Sequence, residues 1–128
     1  MSELMSVLYA EDEADIREIT GFALEDEGFN LLACASGQEA LDKAATISAD
    51  LVLFDVMMPG MDGPTTLQKL RELPNFENTP VIFMTAKVQP SEIEQYKALG
   101  ALGVISKPFD PMTLADQIRD ILGGQNDG

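Results

Sequence analysis

The sequence is poor in basic residues and in cysteine. It has 8 Lys and Arg residues against 22 Asp and Glu residues, a formal net charge of −14. Surfaces that bind nucleic-acid backbones or anionic lipids depend on Lys and Arg, so no direct binding to nucleic acid is expected. The one cysteine, Cys34, cannot form a disulfide within the chain and lies in the apolar run "LLACA". It is therefore expected to be a buried thiol without a catalytic role.

The sequence also lacks a long apolar run. No segment approaches the roughly 20 apolar residues of a membrane-spanning helix. The start, "MSELMSVLYAEDE", has no basic region followed by an apolar stretch, which a signal peptide would need. The expectation is a cytoplasmic protein without membrane insertion. The 128 residues, 45% of them hydrophobic, suffice for one core and do not call for a second.

Five short apolar runs of strand length recur along the chain, at residues 6–10, 30–35, 50–54, 80–85 and 103–106. The segments between them show helical spacing of apolar residues. Helix starts are indicated by Ser36 with Glu39, by Ser91 with Glu94, and by Asp110 before Pro111. Nearly continuous apolar strands that alternate with helices predict an α/β fold, a doubly wound five-stranded parallel sheet covered on both faces.

Polar residues follow these runs at the edge where ligands bind in such sheets. They are Glu11, Asp12 and Glu13 after the first run, Asp55 after the third, Thr85 at the end of the fourth, and Lys107 with Pro108 after the fifth. Taken singly, each has an ordinary explanation: an Asp caps a helix or turn, a Thr suits a strand, and a Lys is a solvated charge.

Taken together, the carboxylates indicate a cation site. At 4 Å and an effective dielectric near 20, two such charges repel by up to about 4 kcal/mol. A hard divalent cation relieves that repulsion, and Mg²⁺ prefers one or two carboxylates together with waters and phosphoryl oxygens. Asp55 would then be free to act as a nucleophile.

Four motifs, "VLYAEDE", "LFDVMMPGMDG", "FMTA" and "SKPF", stand at successive strand ends. With them the chain resembles the receiver domain of two-component response regulators, in particular the chemotaxis-type single-domain receivers, over nearly all of its length. The resemblance implies a flavodoxin-like fold with strand order 2-1-3-4-5. It also implies that Asp55 accepts a phosphoryl group from a histidine kinase or phosphotransfer protein, assisted by Mg²⁺. Such a domain is not an enzyme beyond catalysing its own aspartyl phosphorylation and dephosphorylation.

The same resemblance assigns roles to the matched positions. Lys107 would neutralise a phosphoryl oxygen, Thr85 would donate its hydroxyl to another, and the peptide bond before Pro108 would be cis. The turn "MMPGMDG" is expected to curl away and leave the phosphorylated residue accessible. The protein ligands of the metal would be Glu11, Asp12, Asp55 and the backbone carbonyl of Met57.

Two positions depart from the family pattern. Glu11 stands where the family more often has Asp, and its longer arm is expected to place a water between carboxylate and metal. Val104 stands where receivers commonly have Tyr, Phe or His, which swings inward when the active-site Thr moves. Of the two switch positions, Thr85 and Val104, only Thr85 is therefore expected to carry a signal, into the loop "AKVQPSE".

The expected organisation is a receiver domain over residues 1–123 and a flexible tail over 124–128. Two interpretations stay open. The first, which the Met1 start favours, is a stand-alone receiver that relays phosphate or binds a downstream protein target around its fourth and fifth helices. The second is a receiver excised from a longer regulator with an attached output domain. A phosphatase of the haloacid-dehalogenase type is disfavoured, because such an enzyme has a second acid two residues after the Asp that follows the strand. At that position this chain has Met57.

Overall fold

The structure is a computed structural model and describes residues 4–124. Five strands alternate with five α-helices, and a short 3₁₀ turn, Pro74–Phe76, precedes the fourth strand. The strands are β1 (Met5–Ala10), β2 (Phe29–Cys34), β3 (Leu51–Asp55), β4 (Val81–Thr85) and β5 (Gly103–Ser106). The helices are α1 (Ala14–Glu25), α2 (Gly37–Ala44), α3 (Gly63–Leu70), α4 (Pro90–Ala98) and α5 (Leu114–Gly124).

All strand pairs are parallel, and the strand order is β2-β1-β3-β4-β5. This confirms the predicted doubly wound, flavodoxin-like sheet. Every residue of β3 and β4 is buried, because helices cover both faces, and this double burial explains why these strands are apolar along their whole length. The predicted strand ends agree with the structure to within one residue.

The core forms two layers, one on each face of the sheet. One layer packs Phe54, Phe76 and Phe83 against residues of α2 and α3. The other packs β-strand residues such as Tyr9 against α1 and α5. Cys34 is buried in the first layer as predicted, and burial raises the pKa of its thiol to about 11.

The helix starts agree only in part with the predicted caps. The Ser36 hydroxyl accepts from the Glu39 N–H at 3.1 Å, as predicted. The Ser91 prediction is wrong: α4 is preceded by Gln89 without a side-chain cap, because Pro90 occupies the first helical position, where its fixed φ suits it. Asp110 accepts from the Met112 N–H at 2.9 Å, but this bond closes a turn, and α5 begins only at Leu114.

The last helix reaches Gly124, one residue beyond the expected domain boundary. The remaining residues of the expected tail, 125–128, lie outside the described residues. Between residues 4 and 124, no helix has the length and apolar character needed to cross a membrane.

Candidate functional site

Three carboxylates meet at the carboxyl edge of the sheet. Asp55 ends β3, and Glu11 and Asp12 follow the neighbouring strand β1. Carboxylate oxygens of these three residues lie within 4.8 Å of one another. Glu11 and Asp55 are buried, whereas Asp12 is accessible to solvent. The structure thus brings these three side chains together, as the sequence predicts.

Lys107 joins the cluster from the end of β5. Its Nζ lies 2.9 Å from Oε1 of Glu11 and 3.2 Å from Oδ2 of Asp55. Its backbone N–H donates to the carbonyl of Thr85 at 2.9 Å, which ties the start of the following loop to the end of β4. The Lys107–Pro108 peptide bond is cis, as the resemblance implied. One ammonium group thus contacts both buried carboxylates.

Glu11 is held by more donors than the sequence suggested. Its Oε2 accepts from the Glu13 N–H at 3.2 Å, and its backbone carbonyl accepts from the Arg17 guanidinium at 2.8 Å. Arg17 was not predicted as part of the site. A cation in the first turns of a helix lies at the positive end of the helix dipole. The helix dipole disfavours an Arg at this position in α1, so the sequence could have indicated that Arg17 is held there by a hydrogen-bond acceptor outside the helix.

The electrostatics of Asp55 reflect its surroundings. Its residue surface is 2% exposed. Burial and the neighbouring charge of Glu11 raise the pKa of the Asp55 carboxyl to about 6, although Lys107 opposes the rise. Burial alone would lower the pKa of Lys107, but its hydrogen bonds and the charges of the two carboxylates raise it. At neutral pH the Asp55 carboxyl is therefore ionised, but the charge of Lys107 does not fully offset its burial and the repulsion from Glu11.

The turn after β3 is built tightly around the backbone of Asp55. A Cβ at Gly63 would lie 2.5 Å from the carbonyl oxygen of Asp55, and Gly60 adopts a φ of +81°. Asp62 caps α3 through the Thr65 N–H at 2.9 Å. Met57 is 63% exposed. The expected open approach to Asp55 is not found in this structure: the residue is buried, and the ammonium of Lys107 lies beside its carboxylate.

Thr85 and Val104 lie on neighbouring strands. Thr85 is buried, and its hydroxyl oxygen accepts from the Lys87 N–H at 3.1 Å. That bond links the predicted switch residue directly to the exposed loop before α4. Val104 is half-buried and lies opposite Phe83 in the β4–β5 pairing.

The donor set suits a hard cation. All three clustered side chains offer carboxylate oxygens, and no sulfur or imidazole ligand joins them in the group. Oxygen-only sites of this kind favour Mg²⁺, Ca²⁺ or Mn²⁺. Asp12 gives the cluster an accessible side from which an ion and its waters can enter. The acidic triad could therefore bind a metal ion.

The family model described as "Response regulator receiver domain" matches residues 7–119. The chain belongs to this family. Response regulator receivers act in two-component signal transduction, and the family is a signalling rather than a catalytic one.

Curated relatives of this receiver domain differ in length. It is 38% identical over 114 residues to sporulation initiation phosphotransferase F of Bacillus subtilis, covering 89% of this chain and 87% of that protein. It is 39% identical over 126 residues to response regulator Rre1 of Synechocystis sp., covering 98% of this chain but 54% of that protein. The chain thus spans about half the length of relatives such as Rre1.

Solved structures of single receivers superpose along nearly their whole length. Chemotaxis response regulator CheY4 of Vibrio cholerae matches with a TM-score of 0.86 and 32% identity, over 92% of this receiver and 98% of that chain. A CheY-like receiver domain protein of Methanospirillum hungatei matches with a TM-score of 0.82 and 27% identity, over 98% and 100% of the two chains.

Proposed function

We propose that this receiver domain is a phosphoacceptor that takes a phosphoryl group on Asp55 from a histidine kinase or phosphotransfer protein and thereby changes its binding to a partner. One observation carries the proposal. Asp55 is a buried carboxylate at the sheet edge, 3.2 Å from the ammonium of Lys107 and grouped with two further acids. This arrangement combines a nucleophile, a cation and oxygen ligands, which phosphoryl transfer requires.

In the proposed step, a carboxylate oxygen of Asp55 attacks the phosphorus of a phosphohistidine. The O–P bond forms, the N–P bond breaks, and the electron pair stays on the imidazole nitrogen, which takes a proton from solvent. Lys107 neutralises charge on a phosphoryl oxygen, since its Nζ is already beside the attacking carboxylate. Glu11 also holds Lys107 in place, because its Oε1 accepts from the Lys107 ammonium while its Oε2 is itself fixed by the Glu13 N–H.

We assign Mg²⁺ as the metal, with Asp12, Asp55, Glu11 and the carbonyl of Met57 as the proposed protein ligands. When bound, the ion supplies positive charge against the phosphoryl oxygens. Met57 is proposed as a ligand because it lies two residues after Asp55 in the turn that follows β3. Thr85 is the proposed hydroxyl donor to the remaining phosphoryl oxygen.

The test uses acetyl phosphate as a small donor and intact-mass measurement as the readout. We expect a phosphoryl adduct in the presence of Mg²⁺, none with EDTA, and none in Asp55→Asn. As the control, Asp42→Asn on the exposed surface of α2 keeps the adduct. A metal-independent adduct, or one that persists in Asp55→Asn, contradicts the assignment.

A second candidate keeps the same chemistry within a longer regulator. It is favoured by the coverage of relatives such as CseB of Streptomyces avermitilis, a transcriptional regulatory protein of which the chain spans 51%. In that case the phosphate controls an attached output domain. The full reading frame distinguishes the two, because a stand-alone receiver has a stop codon directly after its last helix and short tail.

The domain limits and the location stay predictions. The proposed receiver unit is residues 1–123, and the proposed place of action is the cytoplasm. Limited proteolysis followed by mass measurement tests the first, and a fluorescent fusion in the source cell tests the second.

A further inference from the structure

Two of the three clustered acids lie on a short segment that is weakly capped. Residues 11–13 join β1 to α1. The N-cap of α1 is Glu13, which has an extended backbone (φ −86°, ψ 119°) and whose side chain forms no capping hydrogen bond. A capping side chain normally satisfies one of the free N–H groups in the first turn of a helix. The segment that carries Glu11 and Asp12 thus lacks the usual local anchor.

Arg17 holds both ends of this segment. Its Nη1 donates to the carbonyl of Glu11 at 2.8 Å, and its backbone N–H donates to the carbonyl of Glu13 at 3.0 Å. The N–H of Glu11 donates in turn to the carbonyl of Cys34 at 3.0 Å, which ties the start of the segment to β2. Asp12 is therefore flanked on both sides by residues whose backbones are held.

The Arg17 side chain pairs with a carbonyl rather than with an acid. The chain has 22 acidic residues, yet among residues 4–124 no ion pair within 4.0 Å includes Arg17. Its guanidinium donates to a neutral carbonyl from the first turns of a helix, where the helix dipole disfavours a cation. The bond to the Glu11 carbonyl is therefore the main interaction that this side chain makes.

Helix α1 is attached to the sheet without Arg17. The Tyr9 hydroxyl donates to Oγ1 of Thr20 at 2.9 Å, and the Thr20 hydroxyl donates to the carbonyl of Ile16 at 2.8 Å. Tyr9, Thr20 and Leu24 are fully buried, and this burial stabilises the packing of α1 on β1. Loss of the Arg17 side chain should therefore loosen residues 11–13 and leave the rest of α1 in place.

We propose that Arg17 is a positioning residue of the carboxylate cluster: it holds residues 11–13 so that Asp12 and Asp55 together face a divalent cation. Carboxylate oxygens of the three acids lie within 4.8 Å of one another, and Asp12 is the exposed member. An exposed side chain is placed by its backbone rather than by packing around it. Residues that orient metal ligands without touching the metal commonly set its affinity. The inference rests on the metal assignment of the proposed function and adds a residue to it.

The sign of the effect separates positioning from charge. Arg17 is a cation beside the cluster, and by its charge alone it repels Mg²⁺. If Arg17 acted only through its charge, its removal would tighten Mg²⁺ binding. Because it positions Asp12, its removal weakens Mg²⁺ binding even though a repulsive charge is lost.

The test is calorimetric titration of the unphosphorylated protein with Mg²⁺. Arg17→Met removes the donor and the charge but keeps an unbranched side chain, and it should raise the dissociation constant about tenfold. Arg17→Lys keeps the charge and a donor and should stay within about threefold of the parent. As the control, Lys69→Met removes the same charge from the exposed last turn of α3 and should change the constant by less than about twofold.

Two further measurements exclude a general loss of structure. Amide NMR of Arg17→Met in EDTA should show shift changes concentrated at residues 11–13, while the amides of Thr20 and Leu24 keep their shifts. With acetyl phosphate, adduct formation should slow at low Mg²⁺ and recover to within about twofold at saturating Mg²⁺, because Arg17 acts through Asp12 and not on the phosphoryl group. If Arg17→Met does not fold, Arg17→Gln replaces it, with the same expected direction.

Tighter or unchanged Mg²⁺ binding in Arg17→Met overturns the inference, as does an equal loss of affinity in Lys69→Met. A rate that stays low at saturating Mg²⁺ also contradicts it, because Arg17 would then affect more than metal binding. These results leave the proposed function intact. If the parent protein binds no Mg²⁺, the metal assignment itself is wrong, and the inference is wrong with it.

Discussion

Asp55 is the residue whose surroundings oppose its own charge. Burial and the carboxylate of Glu11 outweigh the attraction of Lys107, so its folded-state pKa is about 6 against an ordinary value of 3.8. The folded state then holds this proton between about pH 4 and pH 6 while the unfolded state has lost it. Stability from this group is present below pH 4 and is lost as pH rises through 6.

Removing the charge should therefore stabilise the metal-free protein. A pKa raised from 3.8 to about 6 corresponds to roughly 3 kcal/mol, so Asp55→Asn should be more stable than the parent by up to that amount at pH 7.5 and nearly equal at pH 3.5. Urea unfolding in EDTA measures both. Glu94→Gln, an exposed acid on α4, controls for net charge. A stability difference that does not change with pH would contradict the argument, as would Mg²⁺ that stabilises both proteins equally.

Gly63 and Gly21 make a matched pair for backbone crowding at the site. A Cβ at Gly63 meets the Asp55 carbonyl at 2.5 Å and the Val56 Cα at 3.1 Å, whereas Gly21 in α1 has open space around it. We expect Gly63→Ala to destabilise by about 1–3 kcal/mol and Gly21→Ala to stabilise by about 0.5–1 kcal/mol. Thermal unfolding measures both. A neutral Gly63→Ala would mean that the turn can shift without cost.

At the scale of elements, the strands were the easiest part to predict. Parallel strands covered on both faces must be apolar throughout, so β3 and β4 are visible in the sequence, and their ends place Asp55 and Thr85 on one edge. Side-chain pairing was harder. Lys107 lies closer to Glu11 than to Asp55. Which carboxylate it contacts depends on the lengths of the side chains, and Lys107 and Glu11 are 96 residues apart in sequence. No local sequence pattern encodes such a pairing.

Helix α4 is the least anchored of the five helices. None of its residues is buried, and its first turn has no side-chain cap. Its clearest attachment is the Tyr96 ring, which meets Phe83 edge-on at a centroid distance of 5.5 Å. By contrast, Leu114, Ala115 and Ile118 of α5 are buried in the core. Segments with few buried contacts open at lower free energy than the whole domain.

We therefore expect amides of α4 to exchange with solvent at least about tenfold faster than those in the buried part of α5. Hydrogen exchange followed by NMR measures this residue by residue. Tyr96→Ala should increase exchange in α4 further and leave α5 nearly unchanged, whereas Gln95→Ala on the exposed side of the same helix should do neither. Equal protection of α4 and α5 would remove the basis for treating α4 as a movable element.

For the molecule as a whole, a short segment of chain connects the carboxylate cluster to α4. Thr85 ends β4, its hydroxyl oxygen accepts from the Lys87 N–H, and the loop that follows leads directly into α4. If Asp55 is phosphorylated as proposed, the Thr85 side chain is expected to turn so that its hydroxyl donates to a phosphoryl oxygen, and the Lys87 N–H bound to that hydroxyl oxygen is expected to follow, moving the loop. Val104 is expected to offer no second route, because it has no ring to reorient.

Coupling between phosphate and partner should therefore depend on Thr85 and not on Val104. The coupling is measured as the ratio of the partner affinities with and without beryllofluoride, a phosphate mimic, and coupling energies are typically about 1–3 kcal/mol. Thr85→Ala should bring the two affinities close to each other, so that most of this coupling energy is lost. Thr85→Ser keeps the hydroxyl and should keep the ratio. Val104→Ala should change it by less than about 0.5 kcal/mol, even if both affinities shift. Each variant must first be folded and bind beryllofluoride. If Val104→Ala abolishes the ratio while Thr85→Ala preserves it, the signal passes through β5 instead.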